Sequence, residues 1–410
     1  MSDGEKVSVS INEQKKTCLF VMGFNSPFPG AGWNRLSYIA NYFQAHGMDC
    51  SLLATFELNK IGKRGIKDSK GIRIYNILPT LPVDNAFSII FDNVTGFVYS
   101  FPILLGKKPN VIILSIAPAH QLISFYWISW LLRKKLIIDI RDEVDEGWLI
   151  LKKKPLFFYR AMNKIFSKIY RNCYLVCPTT VGVANNIKQR GVSPSKVHVV
   201  ADGVDTEIFK KLDKVQMKKR LDIPENKFVV LFLGQVYSAY RVDVIIDALS
   251  VLKKEGKGEN YLFLLVGGGS TQKVFDYAQK LGVMDMVKYA GIITDQKELV
   301  KVINTADIGI IPYNTLQGLK RMYPTKLFEY AACGLPVIAT YWEDSLLIEY
   351  LKKYGLGVSV LPGDGKALAI AIEKMREEIT SGRSLYSDNG LRFASQNTKA
   401  KIAEGLMASI

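Results

Sequence analysis

The chain alternates short apolar segments with longer amphipathic ones, and this alternation constrains its fold more than any other feature. The first series holds apolar runs at 17–24, 49–56 and 111–116, and it continues at 135–140 and 173–178. Short uninterrupted apolar runs are typical of strands that are covered on both faces. Alternation of such strands with helices predicts a parallel sheet with right-handed crossovers.

The same alternation starts again after about residue 205. Its apolar runs lie at 228–234, 261–267, 287–291, 307–313 and 336–340. A chain of 410 residues is long enough for two domains of ordinary size. The sequence therefore predicts an α/β protein with two Rossmann-like, doubly wound parallel-sheet domains that face each other across a cleft. Their expected extents are 1–205 and 206–385, with 386–410 as a C-terminal helix that could pack back on the first domain.

Positive charge is concentrated in the first half of the chain. The net charge is +16, and residues 1–200 hold 26 Lys and Arg against 13 Asp and Glu. Residues 201–410 hold 28 basic and 25 acidic side chains, while 151–200 hold ten basic ones and no acidic one. This asymmetry predicts an anionic partner for the first domain, which could be nucleic acid, anionic lipid or a phosphorylated substrate.

An uncharged stretch at 109–132 is long enough to span a bilayer, but Pro118 interrupts it. A strand, a loop and a helix of a soluble core explain this stretch better than a transmembrane helix does. The aromatic residues near its end and the basic residues after it could still touch a membrane surface. These residues are Phe125, Tyr126, Trp127, Trp130, Arg133, Lys134 and Lys135.

The five cysteines are scattered and odd in number, which argues against a disulfide framework. No Cys and His residues stand at metal-binding spacing, so a zinc site is not expected.

The segment 324–340 carries the sharpest chemical signal. Thr325 is placed to cap the helix that follows, and the unpaired N–H groups of a helix start attract phosphate. Lys326 adds a full positive charge there, and Glu329, one turn on, could accept hydrogen bonds from a ribose diol. An amphipathic helix with a solvated Lys and Glu is an equally good interpretation.

Glycine-rich turns follow several predicted strands. Gly234 ends one strand, and Arg241 after it could form a forked contact with a diphosphate. The turn at 264–270 contains three glycines, and Gly30 and Gly32 precede a helix in the first domain, which favours an anion there. Ordinary turn glycines and a surface arginine remain the alternative.

Charged residues also follow the strand at 135–140. Asp139, Arg141 and Asp142 stand where this strand becomes a loop, so they could project into the cleft. An ion pair between Arg141 and a neighbouring aspartate is the simpler interpretation.

Taken in chain order, these segments resemble glycosyltransferase family 4, which has the two-domain GT-B fold. The resemblance covers roughly residues 17–380, and the order of its parts makes it specific. The matching parts are the glycine loop at 30–32, DIRD at 139–142, ADGVDTEIF at 201–209, GQ…RVD at 234–243, VGGG at 266–269, YAG at 289–291 and PTKLFEYAACGLPVIA at 324–339. DIRD and PTKLFEY look most like members that build cell-surface glycans and lipid-linked saccharides.

The resemblance implies a retaining transferase that uses a nucleoside-diphosphate sugar and needs no metal. The implied catalytic residues are Arg141, Asp142, Lys326 and Arg241. Glu329 would contact the ribose, and the Gly291–Ile292 backbone would contact the base. The full set of implied donor-binding residues is Gly234, Gln235, Arg241, Gly267, Gly268, Gly291, Ile292, Arg321, Thr325, Lys326 and Glu329. Gly30 and Gly32 would line the acceptor side.

Some positions depart from that family. Gln235 and Tyr240 stand where the family usually has Arg and Lys, Arg321 stands where it often has a second glutamate, and Asp202 replaces the hinge asparagine. These departures leave Arg241 and Lys326 as candidate diphosphate ligands. They also motivate an alternative, a catalytically inactive GT-B-like subunit that only binds within a glycan-assembly complex.

The favoured prediction is a hexosyltransferase of polysaccharide or glycolipid biosynthesis. Its acceptor would be a lipid-linked or cell-surface glycan, and the basic first domain would hold it as a peripheral protein on the cytoplasmic face of the membrane. No nucleic-acid partner is expected, because no motif of that kind is present.

Overall fold

The computed structural model describes residues 16–28, 30–81, 86–116, 121–141 and 156–410. The chain divides into two compact units. The first contains residues 1–28, 36–138 and 410, and the second contains residues 29–35 and 139–409.

The first sheet has seven strands in the order β3-β4-β2-β1-β5-β6-β7. These strands are β1 Thr17–Met22, β2 Asp49–Glu57, β3 Gly65–Ser69, β4 Ile72–Thr80, β5 Val111–Ile116, β6 Lys135–Ile140 and β7 Leu175–Pro178. β1 pairs in parallel with β2 and β5, as the alternation predicts. The antiparallel pair of β3 and β4 was not predicted, because β3 is largely exposed and carries no apolar run.

The helices of this part of the chain are α1 Ala31–Ala45, α2 Ala86–Lys107, α3 Leu122–Leu131, α4 Leu156–Asn172 and α5 Val181–Gln189. The uncharged stretch 109–132 forms the buried strand β5 and the helix α3, with 117–120 outside the described residues. The sequence analysis missed α2, whose composition is apolar along nearly all of its length.

The second sheet has six parallel strands in the order β10-β9-β8-β11-β12-β13. They are β8 Phe228–Leu233, β9 Tyr261–Val266, β10 Val287–Tyr289, β11 Ile308–Pro312, β12 Val337–Thr340 and β13 Gly357–Val360. All five predicted runs of this half are strands. Alternate residues of β8 join two different buried clusters, so the sheet is covered on both faces.

The helices after residue 205 are α6 Lys214–Arg220, α7 Asp243–Lys254, α8 Thr271–Lys280, α9 Gln296–Ile303, α10 Lys326–Ala332, α11 Leu346–Tyr354, α12 Gly365–Thr380, α13 Tyr386–Gln396 and α14 Lys399–Ala408. The segment 386–410 thus holds two helices. The ring of Phe393 in α13 stacks on Phe328 of α10. Before α14, the Val204 N–H donates to the Asn397 carbonyl oxygen, and the Lys399 N–H donates to Val204. The domain boundaries read from the sequence stay predictions.

The strand order locates the binding edge of each sheet. In the second sheet β8 lies between β9 and β11, and in the first β1 lies between β2 and β5. At such switch points the connections leave in opposite directions and open a crevice beyond the carboxyl ends of the strands. The residues that follow β8 and β1 are therefore the first place to look for a site.

Candidate functional site

Glycine turns stack against each other beyond β8, β9 and β10. The Gly234 N–H donates to Val266 at 2.9 Å, and the Gly267 N–H donates to Gly291 at 2.8 Å. Gly234 and Gly267 have φ values of +139° and +126°, and a Cβ on Gly267 would collide with the Gly234 carbonyl. Only glycine therefore allows these turns to approach so closely.

Lys326 is the first residue of α10, and its ammonium group lies in an aromatic box at this edge. Nζ is 3.9 Å from the ring centroid of Tyr240 and 4.5 Å from that of Phe232. A Cβ on Gly234 would lie 2.9 Å from Nζ, so the ammonium also lies against the turn after β8. The stacked rings of Tyr240 and Tyr313 connect the box to the end of β11.

The Lys326 ammonium is buried and has no hydrogen-bond partner among the described residues. Burial lowers the pKa of Lys326 from 10.5 to about 7, against the opposing effect of Glu329. The two ring faces supply only part of the missing solvation, since a cation–π contact contributes about 0.5–2 kcal/mol. A buried cation without an anion is costly, so this geometry favours an anionic ligand at Nζ.

Glu329 lies one turn along α10, partly buried. Burial raises the pKa of Glu329, while Lys399 and Lys326 lower it and Asp202 raises it further. An ionised carboxylate is a hydrogen-bond acceptor only. The carboxylate oxygens can therefore accept hydrogen bonds from a bound hydroxyl pair.

The start of α10 differs from the prediction. Thr325 was expected to cap the helix, but its backbone is already helical, with φ −54° and ψ −31°, and its side chain makes no capping hydrogen bond. The capping prediction is wrong because the turn begins earlier, where Leu327 N–H donates to Pro324 and Phe328 N–H donates to Thr325.

Arg241 lies beyond β8, but its guanidinium is already engaged. Nε donates to both carboxylate oxygens of Asp243 at 2.9 Å, and Nη2 donates to Oδ2 at 2.7 Å. This side-chain hydrogen bond raises the pKa of Arg241. Arg241 would have to leave Asp243 in order to hold a diphosphate, whereas Lys326 needs no such exchange. Gln235, the residue after Gly234, is exposed.

Ile292 and Arg321 occupy different surroundings. Ile292 is exposed and packs close to Gly268, where a Cβ would lie 3.0 Å from its Cδ1. The Arg321 carbonyl accepts a hydrogen bond from Thr180 Oγ1 at 2.6 Å, so the segment before α10 packs on the start of α5. A Cβ on Gly182 would lie 2.9 Å from Arg321 Cβ.

At the edge of the first sheet the structure joins Gly32 to Arg141. The Arg141 guanidinium lies where a Gly32 side chain would be, and its buried Nε has no partner among the described residues. Gly30 begins the same turn, since its carbonyl accepts from the Asn34 N–H. A guanidinium at the N-terminus of α1 favours an anion. Asp142 lies outside the described residues.

Sequence reasoning missed Arg35, a buried arginine of α1. Nη1 donates to the Ala201 carbonyl at 2.7 Å and to Asp202 at 3.1 Å. Nη2 donates to the Val200 carbonyl at 2.6 Å and to Asp139 at 3.0 Å. Asp139 therefore pairs with Arg35 and is buried, so it does not project into a cleft as expected, and Asp202, at the hinge position, is a second anion for Arg35.

A signal for Arg35 exists in the sequence. Its position lies on the buried stripe of α1, which continues through Leu36, Ile39, Ala40 and Phe43. A charged residue on an apolar stripe predicts a buried partner.

The structure thus brings together Gly234, Gly267, Gly268, Gly291, Ile292 and Lys326 at one edge, and Gly32 with Arg141 at another. Within the described residues, no group of three or more His, Cys, Asp and Glu side chains could hold a metal ion.

Sequence and structure comparisons match this chain to known glycosyltransferases. Residues 213–385 match the family model of Glycosyl transferases group 1. A curated relative, D-inositol 3-phosphate glycosyltransferase 2 of Catenulispora acidiphila, is 28% identical over 174 residues. That match covers 40% of this chain and 39% of the relative, so the chain spans about two fifths of the relative's length.

Two solved structures share the fold over nearly the whole chain. Anabaena HepE in complex with UDP has a TM-score of 0.73 at 15% identity and covers 96% of this chain and 99% of its own. WaaG, a glycosyltransferase involved in lipopolysaccharide biosynthesis, has a TM-score of 0.70 at 15% identity and covers 95% and 98%. Residues 213–385 therefore match the model of the group 1 glycosyl transferases, and the GT-B fold class predicted from the sequence is confirmed.

Proposed function

We propose that the protein is a glycosyltransferase that uses a nucleoside-diphosphate sugar. The observation that carries this proposal is the unpartnered Lys326 ammonium at the switch point of the second sheet. A diphosphate would supply the anion that this buried cation lacks, and the glycine turns after β8 and β9 would let the backbone approach it closely. HepE, which shares the fold, has been solved with UDP and with UDP-glucose.

Around that diphosphate the remaining roles follow from position. Glu329 would accept hydrogen bonds from the ribose hydroxyls, and the Gly291–Ile292 backbone would face the base. We propose that Lys326, joined by Arg241 after release from Asp243, stabilises the leaving diphosphate, because preorganised charge there lowers the barrier most directly. In this proposal the transfer retains the anomeric configuration and uses no metal.

The proposed acceptor is a lipid-linked or cell-surface glycan. The basic first half of the chain and the fold shared with WaaG support this choice. A phosphorylated polyol is the second candidate, because Arg141 at the N-terminus of α1 favours an anion and the relative from Catenulispora acidiphila is named for D-inositol 3-phosphate. An acceptor panel with both classes separates the two.

We also propose that the protein works as a peripheral protein on the cytoplasmic membrane face. The α4 helix supports this proposal with exposed basic residues spaced three or four apart, namely Arg160, Lys164, Lys168 and Arg171. Each Lys or Arg close to an anionic lipid surface contributes about 1 kcal/mol to binding. Nucleic acid is not the proposed partner.

The nucleotide site is tested by calorimetric titration with nucleoside diphosphates, followed by a sugar-transfer assay. We expect tight UDP or GDP binding by the parent and a loss of about tenfold or more in Glu329→Ala, since two hydrogen bonds to a charged group are removed. Glu298→Ala, an exposed glutamate of α9, is the matched control.

Absence of any nucleotide binding by the parent would contradict the proposed donor. Binding without transfer to any acceptor would instead favour the alternative, a catalytically inactive subunit, which the departures at Gln235, Tyr240 and Arg321 motivate.

A further inference from the structure

The α2 helix presents an apolar face to solvent. Residues 86–106 contain a single charged residue, Asp92, which is buried and accepts a hydrogen bond from the Leu81 N–H. A helix packed on a sheet ordinarily turns charged residues outward. Here the outward stripe, at helical spacing, consists of Phe87, Ile90, Val94, Val98 and Leu105, all of them exposed.

The α3 helix extends this apolar face. It packs closely on α2, where the Ser124 N–H donates to Asn93 Oδ1 at 3.0 Å. Trp127, Trp130 and Leu131 of α3 are also exposed, and Trp130 has 65% of its surface in contact with solvent. So many exposed apolar residues on two helices that pack on each other are unusual for a soluble monomer, and apolar patches of this kind mark interaction surfaces.

Basic residues border this surface. Lys107 ends α2 and Lys108 follows it, and Arg133, Lys134 and Lys135 follow α3. Residues 86–135 contain no acidic side chain except the buried Asp92. The partner that complements an apolar face with basic ends is an anionic lipid surface, where acyl chains lie beneath phosphate groups.

We infer that the exposed face of α2 and α3, here called the two-helix face, is the surface that enters the bilayer. Of the described helices, only α2 is long and apolar enough to cross a membrane. However, Ser88, Asp92 and Ser100 lie on its buried side, which packs on β4. That side stays with the sheet, so α2 lies along the lipid interface and does not cross it.

The tryptophans fit this position. Indole rings concentrate at the boundary between headgroups and acyl chains, because one edge is apolar and the N–H is polar. Trp127 and Trp130 meet edge to face, with ring centroids 5.7 Å apart. Both rings would enter this boundary together, and the lysines that follow or end the two helices would reach the phosphate groups of the lipids.

This inference deepens the proposed membrane location and is independent of the nucleotide site. Its test is flotation of the full chain with vesicles of phosphatidylcholine alone or mixed with phosphatidylglycerol. We expect the parent to float with the mixed vesicles only. In Val94→Ser/Val98→Ser and in Trp127→Ser/Trp130→Ser we expect at least about tenfold weaker partitioning, from the loss of buried apolar surface.

The matched control is Ile370→Ser/Leu385→Ser, which changes two equally exposed apolar residues elsewhere. Undiminished flotation of both two-helix-face variants, or an equal loss in the control, would overturn the inference. A lipid-free dimer of the parent that these variants dissociate would also overturn it, since a second copy would then be the partner.

Two further measurements locate the surface. Brominated lipids should quench parent tryptophan fluorescence, and Trp127→Phe/Trp130→Phe should remove that quenching while flotation persists. Lys107→Gln/Lys108→Gln should weaken binding to the anionic vesicles. UDP titration of every variant should match the parent, so failure of lipid binding and failure of the nucleotide site give different results.

Discussion

Two buried cations of the second unit, Arg35 and Lys326, contrast in how their charges are met. The Arg35 guanidinium donates to two carboxylates and two carbonyls. The Lys326 ammonium has two aromatic faces beside it and no acceptor among the described residues. Burial alone would lower the pKa of both groups, but Asp139 and Asp202 reverse this for Arg35 and raise its pKa.

The difference separates a structural charge from a functional one. A buried charge that is paired with carboxylates holds segments together, and removing one member is costly. A buried charge without partners weakens the free protein and is stabilised when a ligand of opposite charge arrives. The following predictions test that distinction, from the largest expected effect to the smallest.

Arg35→Met should lower the free energy of unfolding by about 3–5 kcal/mol, because Asp139 would stay buried without its arginine. Urea denaturation followed by circular dichroism measures the change. Arg35→Lys keeps the charge but loses the forked guanidinium, so its free energy of unfolding should lie between those of the parent and of Arg35→Met. A loss below about 1 kcal/mol in Arg35→Met would remove the structural role assigned to this residue.

Lys326→Met should have the opposite effect on stability and a large effect on binding. Loss of a buried, unpaired cation should raise the melting temperature, while UDP affinity should fall about 100-fold, equivalent to about 2.7 kcal/mol. Calorimetric titration and thermal denaturation measure the two effects. Lys320→Met, which removes a partly buried lysine that is paired with Asp344, is the control. Unchanged UDP affinity would contradict the site.

The lowered pKa of Lys326 predicts a pH dependence with a definite sign. Between about pH 7 and pH 10.5 the unfolded chain holds a proton on this lysine that the folded chain lacks, so stability from this group rises with pH. The gain in stability of Lys326→Met should therefore be largest below pH 7.

Binding of UDP should restore the proton that Lys326 loses in the folded protein above about pH 7. At pH 8, UDP should bind with proton uptake, because the diphosphate favours the charged ammonium. Calorimetry in buffers of different ionisation enthalpy measures this uptake, which should vanish in Lys326→Met. Proton release, or uptake that persists in the variant, would assign the effect to another group.

The smallest effect is expected for Asp202→Asn, which restores the asparagine usual at this hinge position. The Asp202 side chain is partly exposed and shares Arg35 with Asp139. An asparagine side-chain oxygen can still accept a hydrogen bond from Arg35 Nη1. We therefore expect the free energy of unfolding, measured by urea denaturation, to fall by about 1 kcal/mol or less. A loss equal to that of Arg35→Met would mean that Asp202, not Asp139, is the main anion.

Much of the fold could be predicted because its signal is local. The apolar runs at 228–234 and 261–267 became β8 and β9 nearly residue for residue. The strands β3, β4 and β13 and the helix α2 were not predicted, and β3 and α2 do not show the expected pattern. β3 has little apolar character, and α2 has so much that its outward face could not be told from its buried one.

The candidate site was only partly predictable for a related reason. Lys326 and Glu329 stood out because they begin a helix after a loop. The sequence pointed to a cap at Thr325 and to a free Arg241, but the backbone of one and the Asp243 partner of the other decided otherwise.

The sequence by itself determined two parallel sheets with glycines and charges at the carboxyl ends of their strands, because strand alternation and turn chemistry depend on neighbouring residues. Only the tertiary structure decided which charges have partners. Arg35 meets acceptors more than 100 positions away, while Lys326 meets the rings of Phe232 and Tyr240 and no acceptor among the described residues. Such contacts depend on how distant segments pack, and no local pattern encodes them.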